Sequence, residues 1–226
     1  MHPLPKASRK RIEILKSAAA VFRRRGYHGA KIEDIAARLG MTKGNLYYYF
    51  KDKEEILFVC LDYSVDILLD RLREVERSDV SPVDKLRALI KAFVHVVIDE
   101  LQGTGITLDL LDLSPPLLRR IISKRDRFER GMRAIVRAGM DQGVICRANP
   151  KLVTFAILGA VNWVPRWFDP SGAANSGEIG EAFADHLLLG LVVSAPRRRS
   201  DAPAIVRLRS SHSVAKTRGV AKTRRL

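Results

Sequence analysis

The sequence predicts an all-α protein of about nine helices, on three observations. No segment longer than five residues alternates convincingly between apolar and polar side chains, the pattern of a half-buried strand. Apolar side chains recur instead three and four residues apart, as in Ile12, Leu15, Ala19 and Phe22, or Leu86, Leu89, Ile90, Phe93 and Val97. Three such runs open on Ser81-Pro82, Ser114-Pro115 and Asn149-Pro150. In these pairs an oxygen-bearing side chain can cap a helix, and the fixed φ of proline suits its first position.

Taken in order, the first helix is expected over residues 8–25, closed by Gly26. Arg23, Arg24 and Arg25 at its end fit either a phosphate backbone or a solvated helix terminus. Ile32, Ile35, Ala36 and Leu39 give a second, short helix one apolar face. Gly40 follows, able to turn the chain through positive φ, and Thr42 can cap a third helix through its hydroxyl. In that third helix Leu46 and Phe50 share a face, leaving Lys43, Gly44, Asn45 and Tyr48 on the others. Two short helices joined through a glycine turn form a helix-turn-helix, whose second helix enters the DNA major groove.

A fourth helix is expected from Lys53 or Glu54 to about Arg77, with Leu57, Cys60 or Leu61, Ser64, Leu68 and Val75 inward. The fifth starts at Ser81-Pro82 and is ended by Gly103 and Gly105; no strand precedes that G-T-G, so it is no dinucleotide fingerprint. A short helix over 107–113 leads to a long one from Ser114-Pro115 to Gly143, with Ile121, Phe128, Met132 and Ile135 buried. The helix opened by Asn149-Pro150 is apolar nearly all round, so it must be covered on more than one side, and Pro165 is expected to disrupt or end it. A Gly/Ser/Ala/Asn-rich loop over 169–177 precedes a last helix over 178–193, burying Ile179, Phe183, Leu187 and Leu191.

The chain has 226 residues and a formal net charge of +15, concentrated at its ends. Residues 1–55 carry +7, residues 197–226 carry +9, and the stretch between is close to neutral. This suits a DNA-reading head on a body with other duties. The sequence therefore divides into a helix-turn-helix domain at 1–53, a near-neutral helical body at 54–195, and a basic tail at 196–226. The tail lacks aromatics and repeats VAKTR at 214–218 and 220–224, a composition expected to be disordered. It fits an arm adding non-specific DNA affinity, a contact to RNA or anionic lipid, or a dispensable extension. The two cysteines, Cys60 and Cys146, suggest reduced core residues in a cytoplasmic protein, and neither a signal peptide nor a membrane span is legible.

The string T-K-G-N-L-Y-Y-Y-F-K-D-K-E-E-I-L from Thr42 resembles the recognition helix of the TetR family of transcriptional regulators, together with its exit into the fourth helix. The resemblance implies that the body, 54–195, is a ligand-binding and dimerisation domain. It implies a homodimer whose last two helices, 150–164 and 178–193, pair into a four-helix bundle, with two heads on a palindromic operator. It also identifies Lys31 with a position usually held by threonine or serine, which caps the second helix and touches a phosphate. Lysine offers no acceptor and can meet a phosphate only by charge. Within the head, Thr42 is expected to cap and to bind a phosphate, and Lys43 to reach a base edge or a phosphate. Gly44 permits close approach, Asn45 suits an adenine edge, and Tyr48 and Lys53 suit phosphates. Tyr47 and Phe50 are expected in the core; Tyr49 fits packing or a phosphate.

The body segment GAVNWVPRWFDPSG, followed by GEIGEAFADHLLLGL, is similar to members that control fatty-acid or sterol breakdown and answer to acyl-CoA thioesters, although those lack Pro165. That implies an acyl-CoA, or a related free acid, as effector. Asn162 could bind its carbonyl, Arg166 a carboxylate or CoA phosphate, and Trp163 and Trp167 could border an acyl tunnel. The same tryptophans would equally serve as dimer-interface anchors, with Arg166 an ordinary surface charge. A lipophilic drug, as in efflux repressors, is the alternative effector, although no acidic cluster suits a cation. A sequence-independent architectural DNA-binding protein is the alternative of another class. No cofactor is implied, and an enzyme is not expected: the five histidines show no metal-ligand spacing and no nucleophile motif is present. His95 and His186 lie within apolar faces, as satisfied core histidines or pocket-lining groups.

Overall fold

The structure, a computed structural model, describes residues 6–100 and 110–193. The basic tail, its VAKTR repeat, Gly103 and Gly105 lie outside the described residues, as does the first part, 107–109, of the helix expected over 107–113. The described chain folds into α1 (Lys6–Gly29), α2 (Ile32–Arg38), α3 (Lys43–Tyr49), α4 (Lys53–Arg77) and α5 (Pro82–Ile98). A single 3-10 turn (Leu110–Asp112) then leads to α6 (Pro115–Asp141), α7 (Pro150–Trp167) and α8 (Ser176–Leu189). Among the described residues the nearest thing to a sheet is one isolated bridge, Ile145 to Val192. The architecture is all-α, as the periodicities require.

Two apolar clusters organise these helices. The first joins Ile14, Leu15, Ala18 and Phe22 of α1 to Ile35 of α2, Leu46 of α3 and the opening turns of α4, Ile56 to Leu61. The second gathers Val65 to Val75 of α4 with the inner faces of α5, α6, α7 and α8. Helix α4 therefore belongs to both. Helix α5 lies in the middle of the body, against α4, α6, α7 and α8. Its Leu86, Leu89, Ile90 and Val94 are wholly excluded from solvent, and each such side chain contributes about 1.5–3 kcal/mol of burial.

Local signals account for most boundaries. Gly26 breaks α1 at φ 68°, a region a β-carbon disfavours. Ser81 Oγ accepts from the Asp84 N–H (3.1 Å), Asp52 from the Glu55 N–H (2.7 Å), and Asn149 from the Lys151 and Leu152 N–H groups (3.0 and 3.4 Å). Asn175 and Glu178 close a reciprocal capping box at the start of α8.

Several expectations need correction. Helix α7 runs through Pro165 to Trp167, and the Phe168 N–H still donates to the Val164 carbonyl (3.0 Å). Proline at 165 forfeits the bond to the Val161 carbonyl and crowds it, yet the two residues that follow stay helical. The last helix starts at Ser176 and stops at Leu189; beyond it Cys146 N–H donates to Leu191 O (2.8 Å) and Val193 N–H to Val144 O (3.1 Å). Ser114 precedes α6 without a side-chain cap; its backbone N–H donates to Glu54 Oε1 (2.6 Å). His95 and His186 are exposed, not core, and Cys146 is only partly covered while Cys60 is buried.

Candidate DNA-binding and effector sites

The head presents α3 by planting one face and clearing the other. Gly40 turns the chain at φ 63°, and Thr42 Oγ1 accepts from the Asn45 N–H at 3.2 Å, fixing the first turn of α3. Leu46 and Phe50 are buried in the first cluster, with the Arg11 guanidinium 4.7 Å from the centre of the Phe50 ring. Thr42, Lys43, Gly44, Asn45 and Tyr48 all face solvent. Tyr48 is 85% exposed, with its ring set edge-on against Tyr49 at 5.2 Å. Tyr49 itself packs against the cluster.

Tyr47 departs from expectation. It is exposed on this same surface, its ring 5.8 Å from the Lys43 ammonium. Leu46 and Phe50, four apart, already fill the buried stripe of a seven-residue helix, and the residue after Leu46 is turned about 100° away from it. Lys43 also reaches back to Glu33 on α2 at 2.6 Å. That hydrogen bond holds the Glu33 carboxyl below its usual range and raises the lysine above its own.

Lys31 stands at the N-cap of α2 without a side-chain cap. Its backbone N–H donates to Asp34 (3.2 Å), which also receives Arg25 at 2.5 Å. Lys53 is placed differently from the other basic residues of the head. Its ammonium donates to the carbonyls of Tyr27 (2.8 Å) and Ala30 (3.1 Å) and lies 4.4 Å from the centre of the Tyr27 ring. It gathers carbonyls at the end of α1, beyond the break at Gly26, of which Tyr27 O also accepts from the Ala30 N–H (3.3 Å). Among the described residues, two polar contacts tie the head and the first turn of α4 to residues 112–114: Glu54 to the Ser114 N–H, and His28 Nε2 to Asp112 at 2.8 Å. The Ser114 bond holds the Glu54 carboxyl below its ordinary value.

The body contains a cavity of about 220 Å³ between α4, α5, α6 and α7. Its wall is mostly apolar, from Val65, Leu68, Phe93, Val96, Phe128, Phe155 and Leu158, with Arg125, Asp126, Glu129 and Asn162 supplying a polar side. Desolvation lowers the Arg125 pKa from its ordinary value, without discharging a guanidinium. Glu129 pairs with Arg133 at 3.4 Å.

Of the four effector residues expected from sequence, Asn162 lines this cavity and the other three do not. Trp163 is 63% exposed, and Trp167 is half-exposed and stacked on Phe183 (6.1 Å, 25°). Arg166 lines a separate crevice of about 560 Å³ with Arg23, Arg25, Tyr27, His28 and Asp112. Helical period separates the tryptophans from Asn162. Phe155, Leu158 and Asn162 follow i, i+3, i+7 toward the cavity, while Leu152, Gly159, Trp163 and Trp167 continue along an exposed face. Sequence reasoning missed Arg125 and Glu129. The available signal was register: Arg125 falls between Ile121 and Phe128 at four and three residues, on the buried stripe of α6.

No other cluster among the described residues offers catalysis. Ser176 and His95 both contact the Asp99 carboxylate, His95 at 2.6 Å, so serine and histidine share an acceptor instead of bonding each other. Among the described residues no group of three or more metal-ligating side chains converges, and no helix is long and apolar enough to cross a membrane.

Comparison with known proteins agrees with this arrangement. Residues 14–60 match the family model "Bacterial regulatory proteins, tetR family", and residues 79–191 match "Tetracyclin repressor-like, C-terminal domain". The HTH-type transcriptional repressor KstR2 of Mycobacterium tuberculosis (strain ATCC 25618 / H37Rv) is 26% identical over 185 residues, covering 80% of this chain and 92% of KstR2. The crystal structure of the TetR family regulator PfmR from Thermus thermophilus shares 32% identity, with a TM-score of 0.69 over 78% of this chain and 97% of PfmR. AibR, crystallised with isovaleryl coenzyme A and operator DNA, is 26% identical, with a TM-score of 0.69 over 78% of this chain and 97% of AibR. The chain belongs to the TetR family, as a ligand-responsive DNA-binding regulator of transcription and not an enzyme.

Proposed function

We propose that the protein is a homodimeric repressor that holds a palindromic operator through α3 and releases it on binding an acyl-CoA thioester or a related lipid acid. The observation that carries the DNA half is the exposed face of α3, where Thr42, Lys43, Gly44, Asn45 and Tyr48 stand free of the core. Asn45 reads a base edge; Thr42, Lys43, Tyr48 and Lys31 approach phosphates, and Gly44 lets the backbone close on the groove. Lys53 reaches a phosphate only by giving up the Tyr27 and Ala30 carbonyls. The dimer is favoured by Leu152, Trp163, Trp167 and Leu189, exposed apolar side chains on the last two helices, with the bare Gly159 between them.

The effector half rests on the largely apolar cavity with a polar side at Asn162 and Arg125. A cavity of about 150 Å³ accepts a six-carbon ring, so 220 Å³ suits an acyl end of about nine carbons, with the nucleotide of CoA outside it. The AibR complex, which holds both an acyl-CoA and operator DNA, supports the same chemistry for a relative. Titrating the protein on operator DNA with acyl-CoAs, the matching free acids and lipophilic cations tests the reading. Release by thioesters or acids is expected; release only by cations would favour an efflux regulator. Indifference of binding to DNA sequence would favour an architectural role.

A further inference from the structure

We propose that Glu129 makes the effector cavity selective for a hydroxylated acyl chain over the unsubstituted chain of the same length. The inference rests on the acyl-thioester reading above and names the substituent that the cavity recognises.

Among the described residues, Glu129 Oε1 is the buried side-chain nitrogen or oxygen that has no hydrogen-bond partner. Its sister oxygen faces Arg133 at 3.4 Å. Buried polar atoms are nearly always satisfied, and an exception calls for a bound water, an ion or a ligand. Glu129 belongs to the cavity wall, beside Phe128 and Asn162 and one helical turn from Arg125. Most of the remaining wall is hydrocarbon from Val65, Leu68, Phe93 and Val96.

A carboxylate accepts hydrogen bonds and donates none. The complementary ligand group must therefore be a donor. A hydrocarbon chain and a thioester carbonyl carry no donor, whereas a hydroxyl on the chain does. A plain chain would fill the cavity and leave Glu129 Oε1, already sealed from solvent, still unmatched. Sites built around a buried polar group reject ligands lacking its partner far more sharply than apolar pockets sort by size.

The test is calorimetric titration of the full chain with octanoyl-CoA and 3-hydroxyoctanoyl-CoA. The hydroxylated thioester should bind about 10- to 100-fold more tightly, the range for a hydrogen bond to a charged group. Glu129→Met should bring the two affinities together, chiefly by weakening 3-hydroxyoctanoyl-CoA. Glu129→Gln, which keeps the shape and an acceptor oxygen, should retain part of the preference and shows whether an altered fold explains the first variant. Equal affinities in the wild-type chain would overturn the inference and leave the acyl-thioester reading standing. That outcome would mean Glu129 meets only water, or the pantetheine amide common to both ligands. If neither thioester binds, the effector reading itself is wrong and the inference falls with it.

Discussion

Lys53→Met removes an ammonium while keeping most of its hydrocarbon stem. In the structure that ammonium donates to Tyr27 O at 2.8 Å and Ala30 O at 3.1 Å, with the centre of the Tyr27 ring 4.4 Å away. Hydrogen bonds from a charged donor contribute about 1.5–3 kcal/mol each when sheltered, and a cation over an accessible ring about 0.5–1 kcal/mol. Lys53 is only half-buried, so water can replace part of each contact and the low end applies. A loss of roughly 2–3 kcal/mol follows, equivalent in a chain of this size to a fall in Tm of roughly 4–12 °C. Circular dichroism melting measures it, and operator titration at several salt concentrations measures the DNA side. A Tm within a degree of wild type would refute the clamp. If the salt slope then fell by about one, the ammonium would belong to a phosphate instead.

Other consequences are open to similar tests. Thr42→Ala should cost about 1 kcal/mol of stability through the lost cap on Asn45, and should weaken operator binding in a mobility-shift assay beyond that loss. Asn45→Ala should relax base preference at one operator position by about 1–3 kcal/mol while leaving the salt slope unchanged; a uniform loss across all sequences would place Asn45 on the backbone. Trp163→Glu should shift the chain toward monomer in light scattering and reduce operator affinity; an unchanged mass would remove the exposed face of α7 from the interface. Acidification should loosen the head from the body. The Glu54 pKa is depressed by the Ser114 bond, so that contribution is complete above its ordinary value of 4.5 and disappears as pH falls through the lower, folded-state value. Glu54→Gln should flatten the melting temperature between pH 3 and 5 if about one proton is at stake there.

The head is the most legible part of the sequence because its determinants are local. Gly40, Thr42, Leu46 and Phe50 lie within eleven residues, and each acts on its neighbours. Tyr47 misleads because aromaticity outweighs register only where a helix is long enough to bury two faces, and α3 is not. The cavity is harder to read for a different reason. Four helices distant in sequence build it, and Arg125 looks like one more arginine in a basic run until its place between Ile121 and Phe128 is counted. Trp163 and Trp167 draw attention by rarity, yet both look outward, where their value depends on a surface outside a single chain. Pro165 misleads by its usual effect: it forfeits the bond to Val161, but the turn that follows it still closes through the Phe168 N–H on Val164 O.

Helix α4 has its opening turns locked into the first cluster and the rest into the second, without a joint between them. A rod of 25 residues is about 37 Å long. Rotating such a rod by about 5° around its body end carries the other end sideways by about 3 Å, close to the rise of one nucleotide along a DNA strand. On the proposed reading, a small swelling of the body at Ser64, Val65 and Leu68, the α4 side chains on the cavity wall, would be magnified into a mismatch with the operator. In a symmetric pair the two heads would swing in opposite senses, and the misfit would double.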